Sequence, residues 1–144
     1  MTKTYRTLTL DDAKLMLSAA EAKASNFGIA YNIAVVDAGG HLIAFVRQDG
    51  ALIGSIDLAI NKARTARIFD KPTTLFAELA QPGEPLYGIQ QTNQGKVVIF
   101  GGGVPVLVDG AIVGAVGASA GTVEQDVAVV EAALTALVTA GAAR

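Results

Sequence analysis

The chain's single histidine, His41, lies four residues beyond Asp37. An imidazole placed there is commonly an exposed or hydrogen-bonded turn residue. Three further charges, Lys62, Arg64 and Arg67, fall on one short segment. A lysine shielded from water becomes a base or a Schiff-base amine, whereas an arginine fork suits an acid or a ligand carboxylate. Asp57, Asn61 and Arg64 line one helical face at i, i+4 and i+7, the spacing of a solvated, ion-pairing stripe. Counted at about 100° per residue, Arg67 instead falls between Ile56 and Ile60, on the apolar side. There it either snorkels past the core or pairs with an acid or a ligand. The catalytic candidates are therefore Asp37, Lys62, Arg64 and Arg67.

Two glycine-rich turns follow, Gly101-Gly102-Gly103 and Gly117-Ala118-Ser119-Ala120-Gly121-Thr122. Bare backbone at such turns approaches either another chain segment or a ligand. Gly101, Gly102, Gly103, Ser119, Gly121 and Thr122 thus join His41 and Arg67 as ligand-binding candidates. Gly117–Gly121 matches G-x-S-x-G, but the only histidine precedes the serine and the chain is too short for the hydrolase fold that uses that motif. The plainer reading is a set of small residues that let a helix pack closely on a strand. Free N–H groups near Thr122 suit an anion, although Glu124 and Asp126 already serve the helix dipole there. Gly95-Lys96 runs on into Val97, so no G-x-x-x-x-G-K-[ST] loop exists, and G-x-G-x-x-G is missing too. Nothing points to ATP or NAD.

Composition narrows the classes. A chain of 144 residues suits one domain spanning 1–144. Its net charge of −2, with no basic cluster, lacks the footprint that nucleic-acid backbones require. No apolar run approaches the roughly 18 residues of a membrane span. With no cysteine and one histidine, disulfides, thiolate sites and multi-histidine zinc sites are excluded. The start, MTKTYRTLTLDDAK, has no secretory apolar stretch, and a cytoplasmic location is expected. With 51% apolar residues and alanine on several helix faces, a homo-oligomer is expected as well.

The elements that must position these residues are legible. Thr9 and Asp12 cap a first helix carrying Leu10, Ala13, Leu17, Ala20 and Ala24, ended by Asn26 and Gly28. Residues 31–37 and 41–47 form a hairpin across Ala38-Gly39-Gly40. A helix over 53–69 stops before Pro72, and a short one spans about 74–80. Two or three strands occupy 96–119, with a turn at Asp109-Gly110. A last helix begins with a Thr122/Gln125 capping box and buries Val127, Val130, Leu134 and Leu137. The sum is an α+β fold, an antiparallel sheet of about five strands with flanking helices.

VDAGGHLIAFVRQDGA (35–50), NKARTA (61–66) and FGGGVPVLVDGAIVGAVGASAGTVEQD (100–126) resemble the GlcG/HbpS-type haem-binding family, which includes the C-terminal domain of some corrinoid adenosyltransferases. The resemblance covers nearly the whole chain. It implies a profilin-like sandwich, assembly into dimers or larger rings, and a haem or other tetrapyrrole ligand used in transport, sensing or turnover. With haem as the ligand, His41 comes first as the iron donor, followed by Tyr31, Tyr87, Met16 and Met1, and arginine would pair with the propionates. Two other readings stand beside it: a cofactor-independent enzyme acting on a small carboxylated metabolite, and a non-catalytic accessory subunit.

Overall fold

The computed structural model describes residues 1–142. Helix α1 (Leu10–Phe27) opens with the expected capping box: the Asp12 N–H donates to the Thr9 hydroxyl at 3.1 Å and the Thr9 N–H to the Asp12 carboxylate at 2.9 Å. Gly28, at φ +69°, closes it by donating to the Ala24 and Ser25 carbonyls. The helix buries Ala13, Met16, Leu17, Ala20 and Ala24, while Leu10 stays largely exposed.

Strands β1 (Asn32–Asp37) and β2 (Leu42–Arg47) form the hairpin, and β3 (Gly103–Val108) and β4 (Ala111–Ser119) form a second one. The sheet runs β2-β1-β4-β3, antiparallel throughout, so four strands stand where about five were expected. The stretch before Gly103 fails as a strand for a physical reason. Gly102 sits at φ +121°, and the regular ladder begins only after it.

The two faces of the sheet are packed differently. Ile33, Val35, Val116 and Ala118 face α1 and helix α4 (Val123–Ala142), forming the larger core with Met16, Val129 and Val130. Ala34, Val36 and Ala115 face helix α2 (Gly54–Phe69). That helix lies against the sheet on small residues, burying Ser55, Ala59, Ala63 and Ala66. Its core face is therefore the alanine face. Ile56 and Ile60 flank it half-buried, and the apolar stripe that includes Arg67 lies at the helix's side.

Helix α3 (Thr73–Leu79) follows Pro72, and two short 3₁₀ turns, Ile89–Gln91 and Asn93–Gly95, lead back to the sheet. The capping box at the start of α4 forms: the Thr122 N–H donates to Gln125 Oε1 at 2.9 Å and the Gln125 N–H to the Thr122 hydroxyl at 3.2 Å. Val130 and Leu137 are buried as expected, joined by Val129 and Ala133, whereas Val127 and Leu134 are half-buried. Among the described residues, no helix is long and apolar enough to cross a membrane, and no cluster of His, Asp and Glu is arranged to hold a metal ion.

Candidate functional site

The candidate residues separate into two groups at opposite ends of β1, a strand of six residues and so about 16 Å from its first residue to its last. The first group gathers on the β1–β2 turn. Asp37 Oδ1 accepts from the Gly39 N–H at 2.8 Å and from the His41 N–H at 3.0 Å, which folds the turn and commits that oxygen to it. Thr7 Oγ1 accepts from the Ala38 N–H and ties the N-terminal segment to the same place.

The two glycines let side chains from both elements pack against the bare backbone of the turn. A Cβ on Gly39 would lie 2.9 Å from His41 Cδ2, so the imidazole rests directly on that bare backbone. A Cβ on Gly40 would meet Ile68 at 3.4 Å, with Arg64 and Arg67 both at 3.9 Å. Asp37, His41, Arg64 and Arg67 thus share one turn, although no local periodicity links residue 41 to residue 67. Arg67 lines a shallow depression of about 350 Å³ with Tyr5, Ala38 and Gly39. One of its nitrogens pairs with Asp70, yet its Nε is buried and has no hydrogen-bond partner among the described residues. A buried donor without an acceptor costs roughly 1–3 kcal/mol. His41 is exposed, as are Leu42 (48%), the next residue, and Ile68 (36%), which packs at the Gly40 position.

The second group is sealed. Lys62 is fully buried: its Nζ donates to Asp126 Oδ2 at 2.7 Å and to the Ala118 carbonyl at 3.0 Å, and it lies 5.1 Å from the centre of the Phe100 ring. Burial pulls the ammonium below the ordinary lysine range, opposed by the hydrogen bond and charge of Asp126. The other oxygen, Asp126 Oδ1, accepts from the Tyr31 hydroxyl at 2.8 Å and from the Gly121 N–H at 3.0 Å. Met16 and Tyr31, both weighed as iron ligands, are inside the core. Tyr87 and Met1 are exposed.

Burial, then the hydrogen bond to Asp126, raises the Tyr31 phenol well above its ordinary value of 10.0. A phenol whose folded value is raised contributes fully below the unfolded value and loses that contribution as pH climbs past it. Tyr31→Phe is therefore expected to cost about 1–2 kcal/mol at neutral pH. The gap to the native chain should close as pH rises above 10, which urea unfolding across pH measures. A gap constant to pH 11 would mean that Tyr31 is not held protonated.

The glycine loops serve this sealed centre rather than an open pocket. A Cβ on Gly101 would sit 2.8 Å from Thr74 and Val123, one on Gly102 would sit 2.8 Å from Lys62 Nζ, and one on Gly103 would sit 2.3 Å from the Lys62 carbonyl. Ser119 is buried on the strand. The donors near Gly121 and Thr122 are taken by Asp126 and Gln125, so that helix start has its acceptors supplied from within the chain. Asp126, Tyr31, Phe100 and Tyr5 were not singled out for these roles. Asp126 reads locally as an ordinary dipole partner, and only the fold brings it to Lys62.

The family model for haem degrading protein HbpS-like matches residues 8–135. A 15.0 kDa protein from the dhaT–dhaS intergenic region of Citrobacter freundii is 47% identical over 128 residues, 89% of this chain and 90% of that protein. Among solved structures, Klebsiella pneumoniae protein ORFY is similar with a TM-score of 0.93 and 40% identity, over 95% of this chain and 94% of that one. PduOC in complex with haem is similar with a TM-score of 0.87 and 36% identity, over 90% of this chain and 94% of that one.

Proposed function

We propose that this chain, which belongs to the HbpS-like family, binds haem or a related tetrapyrrole at the β1–β2 turn. The observation that carries this reading is the buried Arg67 Nε, which has no partner among the described residues, on an arginine whose stem packs at Gly40 of the turn that also carries the exposed His41 imidazole. The side chains suit the group. His41 would supply a nitrogen to iron, Arg67 and Arg64 would hold propionates, and Leu42 and Ile68 would meet the apolar ring. Bound haem would supply a redox-active iron whose behaviour the axial ligand tunes. The similarity to PduOC, solved with haem, supports the same reading.

A depression of about 350 Å³ takes one edge of a macrocycle. A second copy of this chain closing over the rest fits the exposed Leu42 and Ile68, so homo-oligomerisation belongs to the proposal. The role is retention and handling of the ligand, since Asp37 Oδ1 is committed to the turn and Lys62 to Asp126.

A haem titration of the apo-protein tests this. Saturation near one haem per subunit or subunit pair is expected, with a sharp Soret band that His41→Ala abolishes. Arg67→Met should weaken binding by about tenfold to a hundredfold, the range for losing a hydrogen bond to a charged group. An unchanged spectrum in His41→Ala removes the axial assignment, and non-saturating binding removes the proposal.

A further inference from the structure

A larger cavity, of about 580 Å³, opens between the C-terminal half of α4, the β3–β4 hairpin and the N-terminal segment. It shares no lining residue with the depression at Arg67; Tyr5 borders the depression, whereas Arg6, Thr7 and Leu8 border the cavity. Its floor is Leu8, Val106, Val113 and Leu137, all buried, and its mouth carries Val138 and Leu107, which are 67% and 55% exposed. The irregularity between Val106 and Leu107 interrupts the strand's alternation at this wall. A volume of this size with mostly apolar walls is that of a small-molecule site.

The charges at the cavity select the ligand. Arg6 is the one cation lining it among the described residues, and its Nη1 pairs with Asp109 Oδ2 at 3.0 Å. Both side chains are exposed, so the pair contributes little and exchanges readily for another carboxylate. Asp12, at the inner edge, accepts from the Thr9 N–H and hydroxyl, and its charge faces the positive end of α1. That leaves Arg6 as the group available to a ligand, with Asp109 free to turn into solvent.

We propose that this cavity binds an amphipathic carboxylate. The aliphatic or aromatic body lies over Val106, Val113, Leu134 and Leu137, and the carboxylate takes the place of Asp109 on Arg6. The floor is concave and buried, a shape that suits a small molecule whose body can reach Val113 and Leu137.

Calorimetric titration of the full chain with octanoate, decanoate and octylamine, below their micelle concentrations, tests the assignment. Saturable carboxylate binding is expected, about tenfold tighter for decanoate than for octanoate because two more methylenes are buried. Arg6→Gln should weaken it by about tenfold, and Val138→Trp, at an exposed position, should abolish it by filling the mouth. Haem spectra of both variants should match the native chain, so a failure of the haem reading leaves this result intact. The proposal is overturned if octylamine binds as well as octanoate or if Val138→Trp leaves decanoate binding unchanged. It also falls if Val138→Trp alters sedimentation instead, which would make this face an interface between copies, or if His41→Ala removes decanoate binding.

Discussion

Lys62→Met lowers the free energy of unfolding by about 3–5 kcal/mol, the cost of stripping one partner from a buried ion pair. The stability of a domain is typically about 5–15 kcal/mol, so this single change brings the chain close to unfolding. The reason lies with what remains. Methionine fills nearly the same space, so the cavity term is small, but the Asp126 carboxylate keeps its charge in a site only 5% exposed. The Tyr31 hydroxyl and the Gly121 N–H still donate to its other oxygen, while Oδ2 loses a partner 2.7 Å away. Adding Asp126→Asn to Lys62→Met removes the stranded charge and should recover 1–3 kcal/mol, as expected for directly coupled residues. Urea unfolding of the four chains of this cycle decides the matter. If Lys62→Met lies within about 1 kcal/mol of the native chain, the pair does not hold the fold together.

Gly117→Ala is expected to cost about 3 kcal/mol or more, and Gly117→Val to give no cooperative unfolding transition at all. A Cβ at Gly117 would lie 2.2 Å from the Ala59 carbonyl oxygen and 2.6 Å from the Ala63 nitrogen. Both obstacles are backbone, so no side-chain rotation relieves the overlap, and α2 must lift from β4. Lifting it would also draw Lys62 away from Ala118 and Asp126. Gly54→Ala is the control, because nothing lies within 4 Å of a Cβ there and the change should be neutral or slightly stabilising. Circular dichroism with denaturant separates the outcomes. A Gly117→Val chain that unfolds cooperatively near the native midpoint would show that the helix does not rest on this strand as described.

Much of the fold and part of the candidate site could be read before any coordinates. The Thr9–Asp12 and Thr122–Gln125 boxes, the Gly28 stop and the turn after Asp37 all depend on groups within four residues of one another, where spacing alone dictates which hydrogen bonds form. The motifs around 35–50 and 100–126 likewise point to the family without reference to packing. His41 and Arg67 could be nominated from residue type, but the glycine turn that joins them could not. The choice of α2's core face was likewise hidden, because hydrophobicity favours the isoleucines while close approach to Gly117 requires alanine.

The information each segment carries on its own is therefore local: where helices begin and end, where the chain turns, and which residue types are present for chemistry. The tertiary structure alone decided that Lys62 meets an acid 64 positions away, that Tyr31 meets the same acid 95 positions away, and that Arg67 is left with an unused donor. Caps and turns follow from short-range geometry that each segment carries within it. Buried charges are placed by desolvation, and the partner that offsets it is fixed only when distant segments are packed together.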